Sequence, residues 1–241
     1  MKEIIGSVKN EYRKILARKK SLLLYILTGI IVLGLFVLYY TLSENLNLTV
    51  MSGAYYPIWV LGWMMKLILP LFLVMTSIDS MTGEFQDESI KNVLQLPIER
   101  HQIYLGKLLA GLIYGAGHLL IILLVSLLGA TVIDGFGTFL ALPQILSSYV
   151  MALFVLGLVI VLISLLSLFF KTSSTALTMS ILLYLGLNGL GLYYGFLQVY
   201  LPTTYLSMYE KMLNNSMLLY MMSYYIIFSV LGIFKFQTKE V

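Results

Sequence analysis

Cysteine is absent from the chain. Disulfides, thiolate metal sites and thiol redox chemistry are therefore excluded. Charge is almost as scarce: Asp, Glu, Lys and Arg make up 11% of 241 residues, against about 25% in soluble domains. Histidine occurs only at His101 and His118. Neither an H-E-x-x-H nor a G-x-S-x-G pattern is present, which argues against an intramembrane protease or hydrolase. The phosphate-binding loop G-x-x-x-x-G-K-[ST] is missing too, because Gly106 and Lys107 lack the upstream glycine and are followed by Leu108. No short apolar run ending in a small-residue cleavage site opens the sequence.

What the chain has is apolar length. It is 60% hydrophobic, with a mean hydropathy of +0.93. A soluble core of this size cannot hide that much apolar surface, whereas lipid solvates it directly. A spanning helix needs about 20 apolar residues, because each adds about 1.5 Å across a hydrocarbon layer of about 30 Å. Six segments qualify: 22–42, 58–80, 106–132, 144–170, 174–196 and 216–234. The expected fold is all-α and polytopic. Residues 1–21 precede a six-span domain at 22–234, and a short tail follows at 235–241.

Basic residues set the direction. Lys2, Lys9, Arg13, Lys14, Arg18, Lys19 and Lys20 precede the first run, and Lys91, Arg100, Lys107, Lys171, Lys235 and Lys239 fall on the same side. The opposite links carry only Lys211. Both termini are thus expected in the cytoplasm, and the net charge of +4 reads as orientation and lipid headgroup contact, with no nucleic-acid partner. Ile4, Ile5, Val8, Tyr12, Ile15 and Leu16 recur at helical spacing between basic residues, the pattern of an amphipathic helix lying in the inner interface. On the other side, Pro202 is placed to open a helix carrying Tyr205, Leu206, Tyr209, Met212 and Leu213 on one face, beside an aromatic belt. The patterns Asn47-Leu48-Thr49 and Asn214-Asn215-Ser216 match a glycosylation acceptor, a short match that arises by chance.

The longest cytoplasmic link, 81–107, carries Glu84, Asp87, Glu88, Lys91 and Glu99. Ile90, Val93 and Leu94 share a helical face, Pro97 is expected to stop that helix, and 98–104 to restart along the membrane surface before the third span. Such a helix presents carboxylates to a partner; an ordinary solvated connector would read the same way. Glu84, Ser89, Leu94, Pro97, Arg100, Gly106 and Lys107, together with Glu11, Tyr12, Arg13 and Lys14, give the chain its likeness to a family. It resembles the type-2 ABC transporter permeases, with Phe85 and Gln86 standing where basic residues often follow the first acidic position.

That resemblance implies a coupling helix in the link, including Asp87 and Glu88, and a second contact after the fourth span at Lys171, Thr172 and Ser173. It also implies a separate ATP-binding subunit in two copies, which would hold the ATP and Mg, and a second permease chain, identical or related. This chain would bind no cofactor, have no catalytic residues and move an amphipathic peptide, antibiotic or lipid-like cargo by alternating access driven by that separate ATPase, in a membrane that is expected to be the bacterial plasma membrane. Small members of this kind are tied to peptide-antibiotic immunity and drug resistance.

Polar residues inside the runs are the candidates for a pathway. Lys66 lies midway along the second run, on one face with Trp59 and Trp63. A lysine there is unfavourable by about 2.5–3.5 kcal/mol on insertion scales, so it either snorkels or meets a polar cargo group. His118 shares a face with Gly111 and Gly115, where helices approach closely. Asn188 lies near Gly191 and Gly195. Both residues read as interhelical hydrogen-bonding groups before they read as substrate contacts. An ion-coupled carrier is the competing function. It needs carboxylates at mid-membrane, whereas Asp79, Asp134 and Glu210 all fall near span ends.

Overall fold

The computed structural model describes residues 2–46, 55–95, 98–194, 200, 201, 206 and 215–239. Among these residues every regular element is helical. In chain order they are α1 (Lys2–Ala17), α2 (Lys19–Leu46), α3 (Tyr56–Trp63), α4 (Leu69–Ile78), α5 (Glu84–Gln86), α6 (Ile90–Leu94), α7 (Arg100–Asp134), α8 (Leu142–Ser167), α9 (Ser173–Tyr193) and α10 (Asn215–Thr238). Six helical stretches among the described residues are long and apolar enough to cross a membrane. The expected bend at Pro97, the expected helix after Pro202 and the Asn47 pattern lie outside the described residues.

The second span is one rod, Tyr56–Gln86, but not a uniform one. A π turn at Met64–Ile68 joins α3 to α4, and another at Asp79–Gly83 joins α4 to α5. The first has a covalent cause. Pro70 brings no N–H and its ring crowds the carbonyl four residues earlier, that of Lys66. The widened turn relieves this crowding, and the Tyr184 hydroxyl of α9 donates to the freed Lys66 carbonyl.

The third span starts earlier than the hydropathy indicates. Residues 100–105 do not run separately along a surface; they are the first turns of α7, which begins after an extended Glu99 (φ −68°, ψ 144°). Nothing breaks the helix at Gly106, where the missing side chain lets α1 approach: an added Cβ would lie 3.0 Å from Ser7 Cβ. At 35 residues, α7 is about 52 Å long and extends well beyond the hydrocarbon layer.

Helix α8 forms the centre of the bundle, burying Ala152, Val155, Leu156 and Ile160. The glycine face of α7 packs against it: a Cβ on Gly111 would meet Ile160 Cγ2 at 3.3 Å, and one on Gly115 would touch Leu73 of α4 at 3.5 Å. Helices α2 and α10 are peripheral, exposing Leu23, Ile26 and Leu33 on one and Leu219, Ile226 and Phe234 on the other. In a bilayer such surfaces face lipid or another chain.

Candidate coupling end and mid-span site

One end of the bundle gathers α1, α5, α6, the α8–α9 link and the last turn of α10. Its centre is an ion cluster. Lys107 enters from α7 with its side chain fully buried. Its three ammonium hydrogens are all accommodated, by Glu11 Oε2 at 2.7 Å, Glu84 Oε2 at 2.6 Å and the Ser80 carbonyl at 3.0 Å. Lys14 then bridges the other oxygens, at 2.8 Å from Glu11 Oε1 and 3.3 Å from Glu84 Oε1. Arg18 stands 3.8 Å from Glu84. Burial alone would raise the pKa of Glu11, but the Lys107 and Lys14 ammoniums outweigh it and hold the carboxyl below its ordinary range. The cluster therefore fastens α1, the end of the second span and the start of the third with fully paired charges.

Glu84 does not look outward as a docking carboxylate should; it is 4% exposed. The residues after it do. Gln86, Asp87, Glu88 and Ser89 form an exposed corner between α5 and α6. Glu88 turns that corner at φ +55°, a left-handed conformation that is unfavourable for a residue other than glycine. Its carboxylate is 2.6 Å from the Lys91 ammonium, whose hydrogen bond and charge lower its pKa. On α6 the inward residues are Ile90 and Val93, with Leu94 half-buried.

The second expected contact lies against this corner. Ser173 N–H, at the start of α9, donates to Gln86 Oε1 at 2.7 Å, and Thr82 Oγ1 donates to the Ser167 carbonyl at 2.6 Å. Thr172 caps α9 through its hydroxyl and is exposed beside Lys171. The chain end completes the surface: Arg100 donates to the Gln237 carbonyl at 2.9 Å and Lys239 to the Phe170 carbonyl at 3.0 Å. Lys239 Nζ also sits 4.6 Å from the Phe85 ring centre. Burial, and then the nearby Lys235 charge, lower the Lys239 pKa to about 8.

The mid-span candidates are not brought together. Lys66 is exposed on the surface of the bundle, with Nζ 5.9 Å from the centre of the exposed Trp63 ring. Beside it, Leu67, Pro70, Val74, Leu158, Ser180 and Tyr184 line an apolar cavity between α4, α8 and α9. Ser180 Oγ is buried there without a hydrogen-bond partner among the described residues. His118 belongs to a different interface, fully buried among Tyr25, Tyr114 and Phe72. Its Nδ1 lies 2.7 Å from Thr28 Oγ1, and that hydroxyl sits 2.9 Å from the Leu24 carbonyl. The threonine has one hydrogen, and where it goes to the carbonyl, Nδ1–H donates to Thr28. Asn188 lies on α9, with its side chain outside the described set.

A profile of the ABC-2 family transporter proteins matches residues 7–188. The chain belongs to this family. A search among curated proteins found no match. The matched region takes in the ion cluster, the α5–α6 corner and the α8–α9 link. An ABC-2 transporter protein is a multi-pass membrane transport subunit, and the family implies a partner ATP-binding subunit. Sequence reasoning named Glu11, Lys14, Glu84 and Lys107 for this resemblance but not their mutual contact. It named Gln86 only as a departure from the family's pattern, and it overlooked Tyr184 altogether. The clue to Tyr184 was Pro70, which marks Lys66 as the carbonyl in need of a donor.

Proposed function

We propose that this chain is the permease subunit of an ATP-driven exporter and that its ATP-binding partner docks on the α5–α6 corner together with the α8–α9 link. The observation that carries this reading is the Gln86–Ser173 hydrogen bond, which joins two links 87 residues apart into one exposed surface. Asp87, Glu88, Lys171 and Thr172 stand on it. A push there reaches the membrane along stiff paths. The corner continues directly into the second span, and the Lys107 cluster ties that span to α1 and α7. In this reading both termini are cytoplasmic, two ATP-binding subunits serve two permease chains, and the membrane is a bacterial plasma membrane.

The apolar cavity supports an amphipathic or lipid-like cargo, a class that includes peptide antibiotics. Its walls are aliphatic, with Ser180 and Tyr184 as the polar groups, the pattern of a site that selects for shape and apolar surface. Lys66 and Trp63 lie on the same flank and are offered as cargo contacts. The π turn and Pro70 beside the cavity support bending of the second span here during alternating access. His118, packed within the α2–α7 interface, serves here as a structural group.

The test is co-purification with a Walker-motif ATPase encoded next to this chain, comparing the native protein with Asp87→Lys/Glu88→Lys. These side chains are exposed, so the variant should fold. The native chain should bring down the ATPase stoichiometrically, and the double variant should lose most of it. Equal capture by both removes the corner from the docking surface, and no capture by the native chain defeats the reading.

A further inference from the structure

The cations around α1 divide into two groups with different surroundings. Lys14 and Arg18 turn to Glu84, and Lys20 lies 2.9 Å from Asp79. Lys9, Arg13 and Lys19 are exposed and form no ion pair among the described residues. The face of α1 toward α7 buries Ser7, Glu11 and Ile15. Lys9 and Arg13 lie one turn apart on the opposite face, and Ile5 precedes Lys9 by one turn with 61% of its surface open. A helix bathed only in water gains nothing from that isoleucine, whereas a helix at a membrane surface buries it below the headgroups.

Helix α2 fixes the level. Immediately after Lys19 it exposes Leu22, Leu23 and Ile26, so Lys19 sits where the apolar outer surface begins, just past the end of the helix that carries Lys9 and Arg13. Basic side chains at this depth attract anionic headgroups, and the Arg13 guanidinium can hold a phosphate through two parallel hydrogen bonds. The neighbouring Leu22, Leu23 and Ile26 suit acyl chains, which a free phosphate lacks.

We propose that Lys9, Arg13 and Lys19 form a binding site for the headgroup of an anionic phospholipid. The opposite face of the same helix holds Glu11 against Lys107, so a bound headgroup presses α1 onto the ion cluster. The site stands independently of any ATPase partner and is tested without one.

The experiment reconstitutes the full chain in nanodiscs of equimolar phosphatidylglycerol and phosphatidylcholine, then counts the lipids retained on release by native mass spectrometry. The native chain should retain phosphatidylglycerol about tenfold over phosphatidylcholine. Lys9→Gln/Arg13→Gln/Lys19→Gln should bring the ratio close to one, and Lys9→Arg/Arg13→Lys/Lys19→Arg should keep it. Lys91→Gln/Lys171→Gln removes two cations elsewhere and should leave the lipid ratio as it is in the native chain, with thermal unfolding confirming that all variants are folded. A triple glutamine variant that keeps the preference, or a native chain that has none, overturns the proposal. So does inorganic phosphate that abolishes the preference where chloride of equal ionic strength does not, since the site would then serve a free anion.

Discussion

Lys107 and Lys66 both interrupt apolar runs, and the structure treats them in opposite ways. Lys107 is fully buried and gives every hydrogen to a carboxylate or carbonyl. Lys66 is exposed, and Trp63 is its neighbouring ring. Depth along a run predicts the reverse ranking, because the residue nearer mid-span is the harder one to place. Partners decide instead. Two carboxylates from distant parts of the chain make burial of Lys107 favourable only while all three elements stay together, so this lysine is structural. Lys66 has no such set among the described residues, and its side chain is open to a surface.

The largest effect should follow from breaking the buried side of that comparison. Lys107→Met leaves Glu11 and Glu84 buried with reduced compensation, and removal of one partner of a buried pair is unfavourable by about 3–5 kcal/mol. Thermal unfolding in mild detergent should show the loss, and adding Glu11→Gln should recover part of it. Acid sharpens the same test. The Glu11 pKa is lowered in the folded state, so its contribution is complete above its unfolded value, near 4.5, and is lost as pH falls through the lower folded value. The native chain should lose stability progressively below about pH 4.5, and Lys107→Met should flatten that dependence. Native-like stability in the variant would show that the cluster holds nothing.

Next in size is the approach that lets the cluster form. A side chain on Gly106 meets Ser7, whose Cβ lies 3.0 Å from the added Cβ. Gly106→Val should be unfavourable by about 1–3 kcal/mol, the range for overpacking. Ser7→Gly in the same chain should return part of the loss. If Gly106→Val unfolds like the native protein, α1 does not sit where the structure puts it.

These two positions show what sequence alone could and could not convey. The apolar runs were legible because each reflects a local requirement of about 20 residues crossing lipid. The start of α7 at Arg100 was not, because the mixed residues 100–105 read as a surface segment until Ser7 is seen packing on Gly106. The link was legible as a place of interest, yet Glu84 belongs to the interior and only the corner after it is exposed. Hydropathy gives no pairing across the 96-residue separation of Glu11 and Lys107. The π turn was foreshadowed by Pro70, but its repair by Tyr184 depends on which helix packs alongside.

That repair gives a smaller prediction. Tyr184→Phe removes the donor to the Lys66 carbonyl. Interhelical hydrogen bonds in membranes average about 0.6 kcal/mol and reach about 1.7, so the variant should unfold with about 1 kcal/mol less stability. A loss well above that range would mean that Tyr184 fixes the whole α4–α9 contact rather than a single carbonyl.

Lys66→Gln should have the smallest effect on stability. The ammonium has water or headgroups within reach along its flexible stem, and an exposed contact with an aromatic ring contributes about 0.5–1 kcal/mol at most. Its loss is offset by relief of the desolvation that a charge suffers beside lipid, so unfolding in detergent should shift by less than about 0.5 kcal/mol. A shift as large as that of Lys107→Met would erase the distinction between the two lysines, since it would require a buried carboxylate or carbonyl set around Lys66 in the assembled transporter. The second permease chain proposed above is the partner that would supply it within the membrane. Repeating the measurement on the chain held as a monomer, and again as a dimer, would then separate a lysine that faces lipid from one that faces the other half of the pathway.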